Sequence, residues 1–113
     1  MADSATSSLR LRDQETGAND GQWGTYTDTN FTLVEEALSG VLSKSVAGSA
    51  DVTLTSTNFT TDESRHAVLQ LTGALTGNIN VIIPNVQKTY FVFNNTSGSF
   101  TLGLKTSSGT AVE

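Results

Sequence analysis

The chain has 113 residues, one histidine, no cysteine and a formal net charge of −5 from 11 acidic and 6 basic residues. The basic residues are scattered singly, which excludes a phosphate-binding stripe for nucleic acid. The absence of cysteine excludes a small disulfide-stapled secreted scaffold. We find no signal segment at the N-terminus and no apolar run of membrane length. The sequence therefore predicts a protein made in a cytoplasm, with no nucleic-acid partner and no membrane insertion.

The length predicts one small domain with a thin hydrophobic core. Small cores usually need disulfides, a structural metal or a partner subunit. With no cysteine and a single histidine, the chain can form neither a disulfide nor a structural zinc site. The sequence therefore predicts oligomerisation, with no cofactor and no metal.

The sequence predicts that residues 1–25 form an extended N-terminal arm. Leu9-Arg10-Leu11-Arg12 alternates apolar and basic residues, as a short strand or an extended docking segment does. A glycine-containing loop follows, and then Trp23 in the segment Gly21-Gln22-Trp23-Gly24. Aromatic residues dominate interface energetics, so Trp23 either fills a pocket on another protein or packs on its own helix. The predicted docking residues are Leu9, Arg10, Leu11, Arg12 and Trp23.

The sequence predicts that residues 26–47 form one short amphipathic helix and a linker. Thr32 and Glu35 match a capping box, whereas a cap among residues 28–30 would start the helix one turn earlier. Apolar residues recur at steps of three, four and three, which places them on one face: Phe31, Val34, Leu38 and Val41. The stripe predicts either a seam between the helices of an oligomer or a cover over one face of a sheet.

Residues 48–113 predict an antiparallel β-domain, a small sandwich or meander. Short apolar strands start about every 10 to 13 residues between turn-forming Thr, Ser, Asn and Gly. Residues 90–93 are apolar on both faces, as in a central strand, and residues 94–98 predict a hairpin loop. A further strand begins at residues 110–113. Its unpaired edge predicts that a neighbouring chain supplies the partner strand, or that the sequence is part of something longer.

No group of residues matches a catalytic or metal-binding pattern. His66 lacks a nucleophile motif beside it and is predicted to be a surface or interface residue. The oxygen-bearing loop residues do not follow the order of a calcium loop: Asp13, Glu15, Asn19 and Asp20. Glu35 and Glu36 point about 100° apart on a helix, so they do not converge on one glycosidic bond. The sequence predicts that the protein is not an enzyme.

Two stretches of the chain show a familiar arrangement of residues. In the first, a short apolar strand and a loop with glycine, asparagine and a Trp-Gly pair lead into a helix: Leu9-Arg10-Leu11-Arg12, Glu15-Thr16-Gly17-Ala18-Asn19, Trp23-Gly24-Thr25, Thr29-Asn30, Leu33, Glu35 and Ala37. The first stretch resembles the N-terminal segment of tail-fibre and related tail proteins of tailed bacteriophages. The second is similar to the β-rich segment that follows in those proteins: residues 62–69, Ile83-Pro84, Lys88-Thr89-Tyr90 and Asn95-Thr96-Ser97-Gly98.

The resemblance implies a structural virion tail component. It implies a homotrimer, assembled in the host cytoplasm, whose N-terminal part attaches to other tail proteins. The alternative function is a glycan-binding module that recognises a receptor on the host surface. An exposed aromatic pair beside polar loops would favour the alternative, but Tyr90 and Phe91 are predicted to lie in the core.

Overall fold

The computed structural model describes residues 3–113. A short antiparallel pair, β1 and β2, precedes a 17-residue helix, α1, and six further strands follow. The bounds are β1 Ser4–Ala5, β2 Arg12–Asp13, α1 Trp23–Ser39, β3 Val41–Ser45, β4 Val52–Thr53, β5 Val68–Ala74, β6 Ile79–Ile83, β7 Phe91–Ser97 and β8 Leu102–Thr106. A single 3₁₀ turn spans Glu63–Arg65. Among the described residues, no helix is both long and apolar enough to cross a membrane.

The six later strands form two three-stranded parallel sheets. One sheet has the order β3-β5-β7 and the other the order β4-β6-β8. Successive strands along the chain therefore alternate between the two sheets, so that each pair (β3 and β4, β5 and β6, β7 and β8) forms one coil. Each coil lies against the previous one in register, as in solenoid proteins, where a repeat contacts only its neighbours.

The core lies between the two sheets. Leu69 and Leu71 of β5 are 0% and 1% exposed, and Ile79 and Val81 of β6 are 2% and 0% exposed. The buried cluster is completed by Val46, Leu54 and Leu75. Residues in register form columns along the stack, for example Leu42, Leu69 and Val92. The middle coil therefore supplies most of the buried side chains.

A corner of the solenoid requires glycine in the first and third coils. Gly48 pairs with Leu75 in a parallel bridge and has a φ of 111°. Gly98 has a φ of 104°, and a Cβ atom there would lie 2.7 Å from the carbonyl oxygen of Leu75. Left-handed backbone and close approach both favour a residue without Cβ. Asn95-Thr96-Ser97-Gly98 therefore forms the end of β7 and a corner of the solenoid.

The prediction of a mainly-β chain with one helix is confirmed, but the prediction of an antiparallel sandwich or meander was wrong, because all pairings within the two large sheets are parallel. Turn residues after each strand lead the chain into the opposite sheet and do not fold it back on itself. β7 includes residues predicted as a central strand and a hairpin loop, yet it is an edge strand of its sheet.

Candidate interaction surfaces

The N-terminal arm is tied to the β-solenoid through a buried ion pair. Arg10 donates from Nε and Nη2 to the two carboxylate oxygens of Asp62, at 3.0 and 3.1 Å, and from Nη2 to Ser64 Oγ at 3.0 Å. The Asp62 side chain is fully buried, and Arg10 as a residue is 8% exposed. Such a two-point contact fixes geometry as well as charge. The Arg10 guanidinium is thus engaged within the chain.

Arg65 extends the same network and is 0% exposed. Its guanidinium donates to three backbone carbonyls, those of Leu9, Thr57 and Thr60. Glu36 of α1 lies at 3.9 Å and Asp62 at 3.5 Å. Burial lowers the pKa of Arg65, and the charge of Asp62 opposes that shift. The network therefore joins the arm, the helix and the loop before β5.

Arg12 holds the arm against the start of the helix. Its guanidinium lies 3.9 Å from the ring centroid of Tyr26 and 4.2 Å from that of Phe59, within cation–π range. Asn30 both accepts from the backbone N–H of Arg12 and donates to its carbonyl, at 2.9 and 2.8 Å. Of the predicted docking segment, Leu9 and Leu11 are half-buried.

Trp23 is the predicted docking residue with the most exposed side chain. It is the first residue of α1 and is 49% exposed. Its indole Nε1 donates to the carbonyl of Ala18 at 3.0 Å, which fixes the ring relative to the preceding loop. Half of the indole surface is therefore held in a defined orientation and faces solvent.

The apolar stripe of α1 faces solvent. Phe31 is 69% and Leu38 76% exposed, and Val34 is half-buried. The buried residues of the helix are Leu33 and Ala37, which lie on a different face. The stripe therefore does not cover a sheet of its own chain. The prediction that Val41 belongs to the helix was wrong, because α1 ends at Ser39. Val41 is the first residue of β3 and is 59% exposed.

A second apolar strip lies on the outer face of the β3-β5-β7 sheet. Val41, Val68 and Phe91 are in register across the three strands. Phe91 is 68% and Phe93 55% exposed, and both belong to the alternate set that points away from the core. This strip meets the helix stripe at Val41, three residues after Leu38.

The other residues weighed from the sequence are not brought together into a site. His66 is half-buried. Its Nδ1 lies 3.2 Å from the carbonyl of Glu63, and its Nε2 lies 3.8 Å from Glu36 Oε2. Within residues 3–113, no group of three or more His, Cys, Asp or Glu side chains is placed to hold a metal ion. Asp13 and Asp20 are exposed.

Sequence reasoning missed the role of the loop before β5. The sequence Asp62-Glu63-Ser64-Arg65 by itself predicts a charged turn, whereas Asp62, Ser64 and Arg65 are all buried. Asp62 also caps the 3₁₀ turn, since its side chain accepts from the backbone N–H of Arg65. The available signal was the charged pair Asp62 and Arg65, three residues apart, but Arg10, which pairs with Asp62, lies 52 positions from it.

Comparisons with protein-family models, with curated proteins and with solved structures found no match.

Proposed function

We propose that this chain is a structural, non-catalytic subunit of a bacteriophage tail, a tail fibre or tail-associated protein. In this proposal the subunit forms a homotrimer, is assembled in the host cytoplasm and is carried in the virion. The attribution to a tail rests on the resemblance of the arm and the β-rich segment to phage tail proteins. The observation that carries the oligomeric role is the solvent-facing apolar stripe of α1.

The stripe has the spacing of a seam between helices. Phe31, Val34 and Leu38 follow one another at steps of three and four, the a and d spacing of a coiled coil. A surface helix of a monomer normally buries its apolar face. Here Leu33 and Ala37 are buried, while Phe31 and Leu38 expose more than two thirds of their surface. A second copy of the helix is the partner that this spacing fits best.

The apolar area is also of the size that subunit contacts use. Phe31, Phe91 and Phe93 are 69%, 68% and 55% exposed. At about 200 Å² for a whole aromatic side chain, they expose about 400 Å² together. Leu38 and Val41 add to this total. A stable interface needs about 800 Å² from each partner, so these five residues supply a large fraction of one such surface.

The arm is proposed to present Trp23 to a neighbouring tail protein. The internal contacts of Arg10 and Arg12 hold the arm on the body of the subunit. An aromatic side chain that is half exposed and already oriented loses little entropy on binding. Docking through Trp23 would then position the whole subunit, because the arm and the β-solenoid share the Arg10–Asp62–Arg65 network.

Light scattering across a dilution series tests the oligomeric role. We expect a trimer for the natural chain and dissociation on dilution for the double variant Phe31→Ser with Leu38→Ser. The matched control, Thr32→Ser with Glu35→Ser, changes two exposed positions of the same helix and should remain trimeric. A folded natural chain that is monomeric at all concentrations would refute the proposed homotrimer.

One observation favours the alternative, a glycan-binding module. Phe91 and Phe93 form an exposed aromatic pair on β7, followed by the exposed Asn95 on the same face. Aromatic rings and amide groups together are suited to a sugar ring. Saturable binding on a glycan array, abolished by Phe93→Ala and unaffected by Phe31→Ser with Leu38→Ser, would favour this function over the seam.

A further inference from the structure

The turn that leads into α1 contains the single Asp-Gly pair of the chain. Of the ten glycines, only Gly21 follows an aspartate or an asparagine. Asp20 and Gly21 form the tip of the turn, which is closed by a hydrogen bond of 2.8 Å from the N–H of Gln22 to the carbonyl of Asn19. Both residues of the tip are exposed. The pair is therefore accessible to water and is held by the turn only at its two ends.

An Asp-Gly pair carries its own chemistry. The backbone nitrogen of the glycine attacks the side-chain carboxyl carbon of the aspartate. A carbon–nitrogen bond forms, and the carboxyl hydroxyl leaves as water together with the amide proton, which gives a cyclic succinimide. Water then adds to one of the two ring carbonyls and breaks its bond to nitrogen. One opening restores aspartate, and the other gives isoaspartate, in which the main chain runs through the former side-chain carboxyl.

The structure leaves the reacting groups of this pair unengaged. Within residues 3–113, the N–H of Gly21 donates no hydrogen bond, and the Asp20 carboxylate forms neither a hydrogen bond nor an ion pair. A Cβ atom at Gly21 would meet nothing within 4 Å. The φ of Gly21 is 78°, a conformation that glycine adopts without steric cost. The backbone of the pair can therefore rotate as the ring closes.

The nearest comparable side chains are held in place. Nδ2 of Asn19 donates to Asp3 Oδ2 at 2.7 Å and to Gln14 Oε1 at 3.2 Å, and the next residue is an aspartate. Asp28 is exposed like Asp20, but it lies inside α1, where helical hydrogen bonds fix the backbone. The reaction is therefore expected at Asp20 and not at these neighbours.

Conversion of Asp20 would alter the contact that orients Trp23. The indole Nε1 donates to the carbonyl of Ala18 at 3.0 Å, and Asp20 lies between these two residues in the chain. Isoaspartate adds one methylene group to the main chain and places a carboxylate on the α-carbon. Lengthening a segment whose ends are joined by a hydrogen bond changes the distance between those ends.

We propose that Asp20 is a site of spontaneous isoaspartate formation and that its conversion releases the Trp23 indole from Ala18. The modification needs no enzyme and no reactant other than water. The inference does not rest on a role in a phage tail, because it uses only the turn at residues 19–22 and its link to Trp23. In a subunit that docks through Trp23, the conversion would weaken docking as the protein ages.

Peptide mapping of the full natural chain after prolonged incubation tests the modification. Mildly acidic buffer is used, because a protonated carboxyl group loses water more readily than a carboxylate. Trypsin cleaves after Arg12 and Lys44, so Asp20 and Asp28 fall in one peptide, residues 13–44. We expect a second chromatographic form of this peptide with unchanged mass, and a minor form lighter by one water. Fragmentation of the backbone should place isoaspartate at residue 20 and none at residue 28.

Two variants identify the reacting pair. Asp20→Glu keeps the charge but requires a larger ring, so it should abolish the second form of the peptide. Gly24→Ala is the matched control, since Gly24 also has open space around it and lies outside the turn. Its peptide should convert as that of the natural chain does.

Tryptophan fluorescence tests the release of the indole. The chain has one tryptophan, so the emission reports on Trp23 alone. As isoaspartate accumulates in the natural chain, the emission should shift to longer wavelength and its anisotropy should fall. Asp20→Glu, incubated in the same way, should keep the initial spectrum.

Three outcomes would overturn the proposal or one of its two parts. If the peptide of residues 13–44 stays in one form while the chain remains folded, Asp20 is not a site of modification. Equal conversion at Asp28 would show that the turn confers no selectivity. Isoaspartate at residue 20 with unchanged fluorescence would show that Trp23 stays bound to Ala18. A monomeric natural chain in light scattering would contradict the homotrimer and leave these results unaffected.

Discussion

Arg10 and Asp62, 52 positions apart in the chain, meet in a buried two-point ion pair with donor–acceptor distances of 3.0 and 3.1 Å. Removing one partner of a buried pair leaves an uncompensated charge. Asp62→Ala leaves both Arg10 and the fully buried Arg65 without the Asp62 carboxylate, so we expect the free energy of unfolding to fall by about 3–5 kcal/mol. Urea denaturation measures this. Asp20→Ala, at an exposed position, is the control and should change it by less than about 0.5 kcal/mol.

A fall of less than about 1 kcal/mol for Asp62→Ala would mean that the arm detaches and lets water reach both guanidinium groups. Protease sensitivity of residues 3–22 would then rise without global unfolding, which distinguishes a loose arm from an intact one.

Substituting two leucines that lie five residues apart on α1 should affect two different properties, the stability of the subunit and its association. Leu33 is 2% exposed and Leu38 76% exposed. Leu33→Ala removes packing and should lower the free energy of unfolding of the subunit by about 2–5 kcal/mol. Leu38→Ala should change it by less than about 0.5 kcal/mol at high dilution, and should weaken only the proposed association. Denaturation at several protein concentrations separates the two effects.

The phenol of Tyr90 should lose its proton at a higher pH than an ordinary tyrosine does. Burial raises the pKa of its phenol to about 12 from 10.0, and its hydroxyl donates to the carbonyl of Ser64. The folded protein thus holds the phenolic proton more tightly than the unfolded chain does. The resulting stabilisation is complete below a pH of 10.0 and is lost as the pH rises toward about 12.

Ultraviolet absorbance of tyrosinate follows this titration, and Tyr90→Phe should remove the late step. Lys88 acts in the opposite direction in the alkaline range, because burial lowers the pKa of its ammonium group and the folded state then releases that proton more readily. The comparison of Tyr90→Phe with the natural chain separates the contribution of the Tyr90 phenol from that of Lys88. If the late absorbance step persists in Tyr90→Phe, its assignment to Tyr90 is wrong.

Gly98→Ala should destabilise the third coil. A Cβ atom there meets the Leu75 carbonyl oxygen at 2.7 Å, and the φ of 104° disfavours any residue with a side chain. The strain at such a position is of order 1–3 kcal/mol, and thermal unfolding should show a lower Tm. Gly24→Ala is the control. It lies in α1 with open space around it, so its Tm should stay equal or rise.

The sequence predicted which residues alternate in and out of the sheets, but not which strands pair. Period-two alternation in Ile79, Val81 and Ile83 shows a buried face and carries no information on strand direction. The apolar residues 90–93 predicted a central strand. Tyr90 does pack against the core, but the prediction that Phe91 lies there was wrong. The exposure of Phe91, Val92 and Phe93 follows from the place of β7 at the edge of its sheet, a property of the whole fold.

The helix was predicted by its apolar spacing, but its start was placed too late. α1 begins at Trp23 after Gln22, which makes no side-chain cap. Its first turns contain several threonines, which are weak helix formers. They are supported by Arg12, which contacts Tyr26 and Asn30 from outside the helix. Local sequence signals cannot reveal a start that depends on a neighbouring segment.

The contact between Arg10 and Asp62 also dictates an order of events during synthesis. Synthesis proceeds at about 5–20 residues per second, and the carboxylate that fixes the arm is made 52 residues after Arg10. Parallel pairing adds further delay, since β3 must wait for β5 and β5 for β7. Until residue 62 has been made, the nascent chain thus carries an unanchored arm beside a helix with an exposed apolar stripe.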